Sequence, residues 1–171
     1  MEFNEVLLKR ESVRNYDPTR PVPREILDRI LEAGRIAPSA SNYQPWEFWL
    51  ISNLEMLAKI HPCYSRQWFH DAPHILIVTG DLEQGWERED GFNSLQTDLA
   101  VSMQQMILAA TNEGVGSCWV TNFKIDILRK ALGLKDSMQV YGISPLGYPR
   151  EGFISRTVIM RKPLHEVVIY K

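Results

Sequence analysis

The sequence predicts an α+β protein in which a modest sheet carries helices on its faces. Segments with helical periodicity alternate along the chain with short apolar runs that are typical of strands. One helical segment, residues 94–114, is much longer than any predicted strand. Apolar residues make up 44% and aromatic residues 10% of the 171 residues, which is enough to pack a single domain spanning residues 1–171.

The first half of the chain contains three predicted helices and two predicted strands. Between Pro23 and Pro38, which favour the start and the end of a helix, apolar residues recur near a 3.6-residue period. The continuous apolar run HILIVTGD predicts a buried strand. The other predicted elements are helices in NEVLLKRE and NLEMLAKI and a strand in EFWLIS.

The second half is dominated by the helix predicted in SLQTDLAVSMQQMILAATNEG, where Gly114 is a natural C-terminal stop. Strands are predicted in GSCWVTNF and MQVYGISPLGYP and a short helix in IDILRKALGL, and two apolar runs end the chain in TVIMRKPLHEVVIYK. Residues 61–94 carry aromatic side chains among charges. They predict either a lid or pocket wall, or surface loops whose aromatic residues are anchored in the core.

Charge and composition exclude several classes of function. The formal net charge is −2, so a nucleic-acid binder is not expected, and no long apolar run predicts a membrane span or a signal peptide. The two cysteines form no CxxC pair, which favours a cytoplasmic protein without disulfides. The four histidines lack the spacing of a metal site, and none is predicted.

Arg10, Ser12 and Arg14, in RESVRNYD, can present their side chains on one side of the chain. In an extended segment alternate residues share a side, and in a helix residues four apart share a face. Two planar guanidiniums with a hydroxyl between them suit a phosphate group. The alternative is a solvated basic helix end, and both interpretations fit this segment alone.

The stretch APSASNYQPW combines a helix stop, small residues and two amides. Small side chains such as Ser39 and Ala40 let the backbone approach a ligand closely, and Asn42 and Gln44 can hydrogen-bond a heterocycle. A connector between a helix and a strand would have a similar composition.

GVGSCWVTNF, a predicted strand that ends in polar turn residues, and Arg161 complete the candidate features. The chain has no phosphate-binding GxxxxGK[ST] loop, no GxGxxG helix start and no GxSxG nucleophile motif. Because no catalytic side-chain set stands out, an enzymatic activity would depend on a bound cofactor.

Taken together and in this order, the motifs resemble the FMN-dependent nitroreductase family, including its short-chain and deiodinase-like branches. The matching parts are RESVR, APSASNYQPWEF, NEGVGSCWVTNF, PLGYP and RKPLHEVV. The resemblance implies a mixed sheet flanked by helices and an intertwined homodimer, with VVIYK suited to a strand on the partner's sheet. The apolar stripe from Leu95 to Ala110 suits the dimer interface, although burial within one subunit would give the same pattern.

The resemblance also implies which residues bind FMN. No protein side chain is expected to be catalytic, because the flavin supplies the chemistry. Arg10, Ser12, Arg14 and Arg161 would contact the phosphate, the ribityl chain and the pyrimidine ring, and Glu11 and Val13 would contribute backbone. Ser39 and Ala40 would pack on the flavin from the other subunit, with Asn42 and Gln44 nearby. The segment that would approach the isoalloxazine ring and its N5 contains Trp119, Val120 and Thr121. Trp119 is bulkier than the residue that relatives often carry at this position.

The activity implied is a ping-pong reaction in which NADH or NADPH reduces the flavin at N5 and a nitroaromatic or quinone then takes the hydride. One alternative is a flavin-binding sensor or FMN store with little turnover, which the bulky Trp119 would suit. Another is an interaction domain without a cofactor.

Overall fold

The computed structural model describes residues 1–155 and 161–171. Its elements in chain order are α1 (Phe3–Lys9), α2 (Arg24–Arg35), β1 (Trp46–Ile51), α3 (Leu54–Ile60), α4 (Gln67–His70), β2 (His74–Asp81), α5 (Leu95–Asn112), β3 (Gly116–Ser117), α6 (Ile125–Leu132) and β4 (Met138–Gly147). The predicted α+β class is confirmed. None of the helices in the described ranges has the length and apolar content needed to cross a bilayer.

The four strands form one sheet in the order β1-β2-β4-β3. Every pair of neighbouring strands in the described residues is antiparallel, so these four strands by themselves do not form the mixed sheet that the resemblance implies. Strands β1 and β2 are antiparallel because α3 and α4 return the chain to the end of β1, where Ile51 pairs with Ile75 near the start of β2. A parallel pairing occurs at the isolated bridge between Ser12 and Ser117.

Helix α5 packs its apolar stripe inside the chain. Its fully or almost fully buried stripe residues are Leu95, Leu99, Met103, Met106, Ile107 and Ala110. They pack with side chains of α2 and β2 in one core cluster, so burial within one subunit accounts for this stripe. The opposite face of α5, which includes Val101, Gln105 and Leu108, is half-buried.

Residues 61–94 do not form one continuous surface segment. Phe69 in α4 and Cys63 before it are buried in the second core cluster, and β2 is an interior strand of the sheet. The longest exposed stretch is residues 82–93, where Glu87 and Asn93 form an isolated bridge. A lid or pocket-wall role for residues 61–94 stays a prediction.

The C-terminal residues 161–171 contain a short 3-10 turn, Leu164–Glu166, and no strand is formed in this described part. Ile169 and Tyr170 are each 83% exposed, although both are large and apolar. The preceding apolar run, TVIM at 157–160, lies outside the described residues.

Candidate functional site

The N-terminal segment, residues 10–14, is an extended strip beside β3. Helix α1 ends at Lys9, and Arg10 caps it with its N–H donating to the Val6 carbonyl at 2.9 Å. The Val13 N–H then donates to the Ser117 carbonyl at 2.9 Å, next to the parallel bridge of Ser12. Only Arg10 is therefore at a helix end, and Arg14 lies in extended backbone.

Two contacts fix the position of this segment. A Cβ on Gly116 would lie 3.0 Å from Val13, so the missing side chain of this glycine allows the segment to lie close to β3. The buried Tyr16 hydroxyl donates to the Val13 carbonyl at 2.8 Å. Its pKa lies well above the usual value because of burial, so it remains a neutral donor.

Side chains at alternate positions of the segment converge on the Cys118 thiol. Burial raises the pKa of this thiol, and the charge of Arg14, hydrogen bonding from Ser12 and Arg14, and the charge of Arg10 act in the opposite direction. The net rise keeps Cys118 protonated at neutral pH. All three side chains of the segment therefore act on the same thiol.

Two cavities flank these side chains. One of about 470 Å³ is lined by Glu11, Ser12, Arg14, Asn15 and residues 152–154. A smaller one of about 70 Å³ contains Arg10, Ser12 and Trp119 in its lining. The Arg14 guanidinium also lies 6.0 Å from the centre of the Trp68 ring, at the outer limit of a cation–π contact.

Trp119 follows directly after the Cys118 cluster and narrows the smaller cavity. Its indole contacts Tyr141 edge-on, with ring centroids 5.6 Å apart. The indole Nε1 is buried and has no hydrogen-bond partner among the described residues. A Cβ on Gly142 would lie 2.6 Å from this atom, so Trp119 occupies the space above that glycine.

The two residues after Trp119 differ in exposure. Val120 is buried and exchanges backbone hydrogen bonds of 2.8 and 3.1 Å with Ile143 of β4. Thr121 is exposed at the point where the chain leaves the sheet. Hydrogen bonds to β4 thus fix the backbone at Val120, whereas Thr121 faces solvent.

The 39–44 loop has an unusual backbone. Ser41, Asn42 and Gln44 have φ of 48°, 58° and 52°, a region that residues other than glycine rarely adopt. The Ser39 hydroxyl accepts from the Gln44 N–H at 2.9 Å, and the Ala40 N–H donates to Asp98 Oδ1 at 2.9 Å. Loops with this much strain persist when their surroundings hold them, and they are frequent at ligand sites.

Within one chain, the 39–44 loop and the N-terminal segment are apart. The loop leads into β1 at one edge of the sheet, whereas Ser12 pairs beside β3 at the other edge. Along α5, Asp98, which holds the loop, and Ile107, which lines the smaller cavity, are separated by roughly 14 Å at the usual rise per residue. Neither cavity beside Arg10 and Arg14 includes a residue of the loop.

Two other predicted FMN-binding residues, Glu11 and Arg161, lie near the C-terminal part of the chain. The Glu11 carboxylate accepts from the Ser155 hydroxyl at 2.6 Å, which joins the N-terminal segment to the C-terminal part of the chain. Arg161 is exposed and directly follows the undescribed residues. In the described ranges, no group of three His, Cys, Asp or Glu side chains is arranged to hold a metal ion.

Sequence reasoning missed four residues beside the site: Ser117 and Cys118 at β3, and Gln104 and Ile107 on α5. Gln104 could have been found from the sequence, since it is a polar residue in a mainly apolar helix. Ser117 and Cys118 lie inside GVGSCWVTNF, but only the pairing of Ser12 with Ser117 shows that this stretch lies beside the N-terminal segment.

Comparisons with known proteins agree on one family. The model of the nitroreductase family matches residues 7–68 and 60–148. A Methanothermobacter thermautotrophicus protein, provisionally named NADH dehydrogenase/NAD(P)H nitroreductase, is 34% identical over 158 residues, 88% of this chain and 79% of its own length.

Two crystal structures share the fold. A nitroreductase family protein of Clostridium difficile 630 has a TM-score of 0.91 at 34% identity, with coverage of 100% of this chain and 99% of that one. A provisionally named nitroreductase of Desulfovibrio desulfuricans, solved in complex with FMN, has a TM-score of 0.82 at 25% identity, with coverage of 100% and 97%.

Proposed function

Because this chain belongs to the nitroreductase family, we propose that it is an FMN-dependent oxidoreductase that uses NADH or NADPH to reduce electron-poor acceptors such as nitroaromatics or quinones. The observation that carries the proposal is that Ser12 lines two cavities, a smaller one together with Arg10 and Trp119 and a larger one together with Arg14. This arrangement supplies positive charge and hydrogen-bond donors next to an open cavity.

The donor set fits the chemical parts of FMN. Guanidinium and hydroxyl groups are suited to a phosphate and to the oxygens of a ribityl chain, so Arg10 and Ser12 are assigned to that end, together with Arg161. Arg14 is assigned to the pyrimidine edge of the ring, where a cation stabilises negative charge. A structural neighbour was solved with FMN, which supports the same cofactor here.

When bound, FMN would supply the redox chemistry by accepting hydride at N5 and passing it to the acceptor. The chain's own residues bind, orient and exclude water. Trp119 occupies the space beside Arg10 and Ser12, so it restricts the access of solvent and of bulky acceptors. Cys118 remains a protonated thiol, and water is assigned as the proton source for the product.

The proposed site is completed by a second copy of the chain. The 39–44 loop lies away from the N-terminal segment within one chain, so the loop of a partner subunit is assigned to the flavin ring. The exposed apolar residues Leu164, Ile169 and Tyr170 support a C-terminal segment that packs on the partner. The proposed assembly is a homodimer with two sites.

The first test is whether the purified protein is yellow and releases FMN on denaturation. Arg10→Ala and Arg161→Ala are each expected to weaken FMN retention at least about tenfold, because each removes a charge-assisted contact to phosphate. Arg24→Ala, on the exposed surface of α2, is the matched control. A colourless chain that cannot be reconstituted, or unchanged retention in both variants, would contradict the assignment.

A screen of acceptors with NADH and NADPH then identifies the reaction. It includes a nitroaromatic, a quinone and an iodinated phenol, the last because of the deiodinase-like branch. The specific observation that favours the storage alternative is the narrow space beside Trp119. FMN that is retained but not reduced by either nucleotide would favour that alternative.

A further inference from the structure

Asp98 carries a buried carboxylate to which the proposed function assigns no role. It is 4% exposed and lies in the first turn of α5. A buried charge is costly unless hydrogen bonds satisfy it, and both oxygens of Asp98 have a partner. Oδ1 accepts from the Ala40 N–H at 2.9 Å and Oδ2 accepts from the Ser94 hydroxyl at 2.8 Å.

The bond to Ala40 reaches the residue directly before the strained part of the 39–44 loop. Beyond Ala40 come Ser41, Asn42 and Gln44, which all have positive φ. The loop closes on itself through the Ser39 hydroxyl and the Gln44 N–H, but this bond does not fix the loop relative to the rest of the molecule. The Asp98 carboxylate supplies that attachment to the longest helix.

We propose that Asp98 is a positioning residue for FMN, which it serves by holding the 39–44 loop in the conformation that packs on the flavin ring. The inference rests on the proposed function. Asp98 itself touches neither cofactor nor substrate. It acts through the Ala40 backbone, and the start of α5 favours its negative charge through the helix dipole.

Three variants test the proposal in the full-length protein, with FMN removed and then titrated back. Asp98→Asn removes the charge while it keeps the shape of the side chain. Ala40→Pro removes the N–H donor from the loop side and leaves Asp98 intact. Proline is compatible with this position because Ala40 starts a 3-10 turn and Ser39 before it has φ −138° and ψ 161°. Asp126→Asn, an exposed first-turn aspartate of α6, is the control.

We expect Asp98→Asn, which turns the charge-assisted hydrogen bond into a weaker neutral one, and Ala40→Pro, which removes its donor, each to raise the Kd for FMN at least about tenfold. Both are also expected to change the visible circular dichroism of the bound flavin, which loss of overall stability would not alter. Ser94→Ala, which leaves the bond to Ala40 intact, is expected to bind FMN within about threefold of the wild type, and Asp126→Asn within about twofold.

The proposal is overturned if a folded Asp98→Asn variant binds FMN with wild-type affinity and spectrum. If Asp98→Asn does not fold, Ala40→Pro decides in the same way. Amide exchange of Ala40 in the FMN-free protein gives a readout that does not depend on the cofactor, and exchange as slow in Asp98→Asn as in the wild type also overturns it. A wild-type chain that binds no FMN instead refutes the proposed function itself.

Discussion

Replacing Gly142 by alanine should force Trp119 out of its position. The added Cβ would lie 2.6 Å from the indole Nε1 and 3.2 Å from Cδ1, both closer than atoms can comfortably approach. The ring cannot yield easily because it is rigid and contacts Tyr141. Overpacking of this kind costs about 1–3 kcal/mol in the free energy of unfolding.

A smaller effect acts in the opposite direction. Gly142 is not among the glycines with positive φ, so alanine can adopt its backbone, and the loss of freedom in the unfolded chain stabilises by about 0.4–1 kcal/mol. We therefore expect Gly142→Ala to destabilise by roughly 1–2 kcal/mol in the wild type. In a Trp119→Ala background the clash is absent and the nearest remaining atom, the Val120 carbonyl oxygen, is 3.6 Å away. There the same change should be neutral or stabilising.

Urea unfolding of the wild type, both single variants and the double variant measures this difference. The expected coupling between the two sites is about 1–3 kcal/mol. Because Trp119 lines the cavity beside Arg10 and Ser12, Gly142→Ala should also weaken FMN binding. An equal cost of Gly142→Ala in both backgrounds would refute the contact on which this reasoning depends.

Three further predictions concern ionisation and assembly. The buried His74 accepts a hydrogen bond from the Val22 N–H through Nε2, and burial lowers the pKa of its imidazole. Its contribution to the free energy of unfolding is therefore full above about pH 6.5 and is lost as the pH falls through the lowered pKa of the folded state. His74→Gln should flatten this part of the pH–stability profile, and an unchanged slope would contradict the role of His74. Burial raises the pKa of the Cys63 thiol to about 12 and also raises the pKa of the Cys118 thiol. At pH 8 both thiols should therefore react with iodoacetamide far more slowly in the native protein than in the urea-unfolded protein. Rapid labelling of the native protein would contradict this prediction. Removal of residues 164–171 should convert a dimer into a monomer with weakened FMN binding, which sedimentation measures; an intact dimer would remove the role of this segment.

Much of the fold follows from local patterns. The long periodic stretch predicts α5 within two residues at either end, and Gly114 has a φ of +72° directly after the C-cap Glu113. The family predicted from five ordered motifs is confirmed by the match over residues 7–68 and 60–148. The convergence of Arg10, Ser12 and Arg14 on one ligand stays a prediction, since Arg10 and Arg14 line two different cavities that share Ser12.

Other features depend on pairing between distant parts of the chain. The apolar stripe of α5 looks the same whether it faces its own sheet or a partner, and only packing with β2 shows the former. The contact between Trp119 and Gly142 needs the register of β4, and the role of Asp98 needs the loop that its carboxylate holds. No local motif contains these relations.

Anaerobic mixing of the purified, FMN-loaded protein with NADH and with NADPH tests the central claim most directly. The account predicts that at least one nucleotide bleaches the yellow flavin absorbance and that a nitroaromatic or quinone then restores it. Arg10→Ala, reconstituted with FMN to the same occupancy, serves as the control, because any remaining difference in reduction is then not caused by loss of FMN. Flavin that stays yellow with both nucleotides would contradict the assignment as an oxidoreductase.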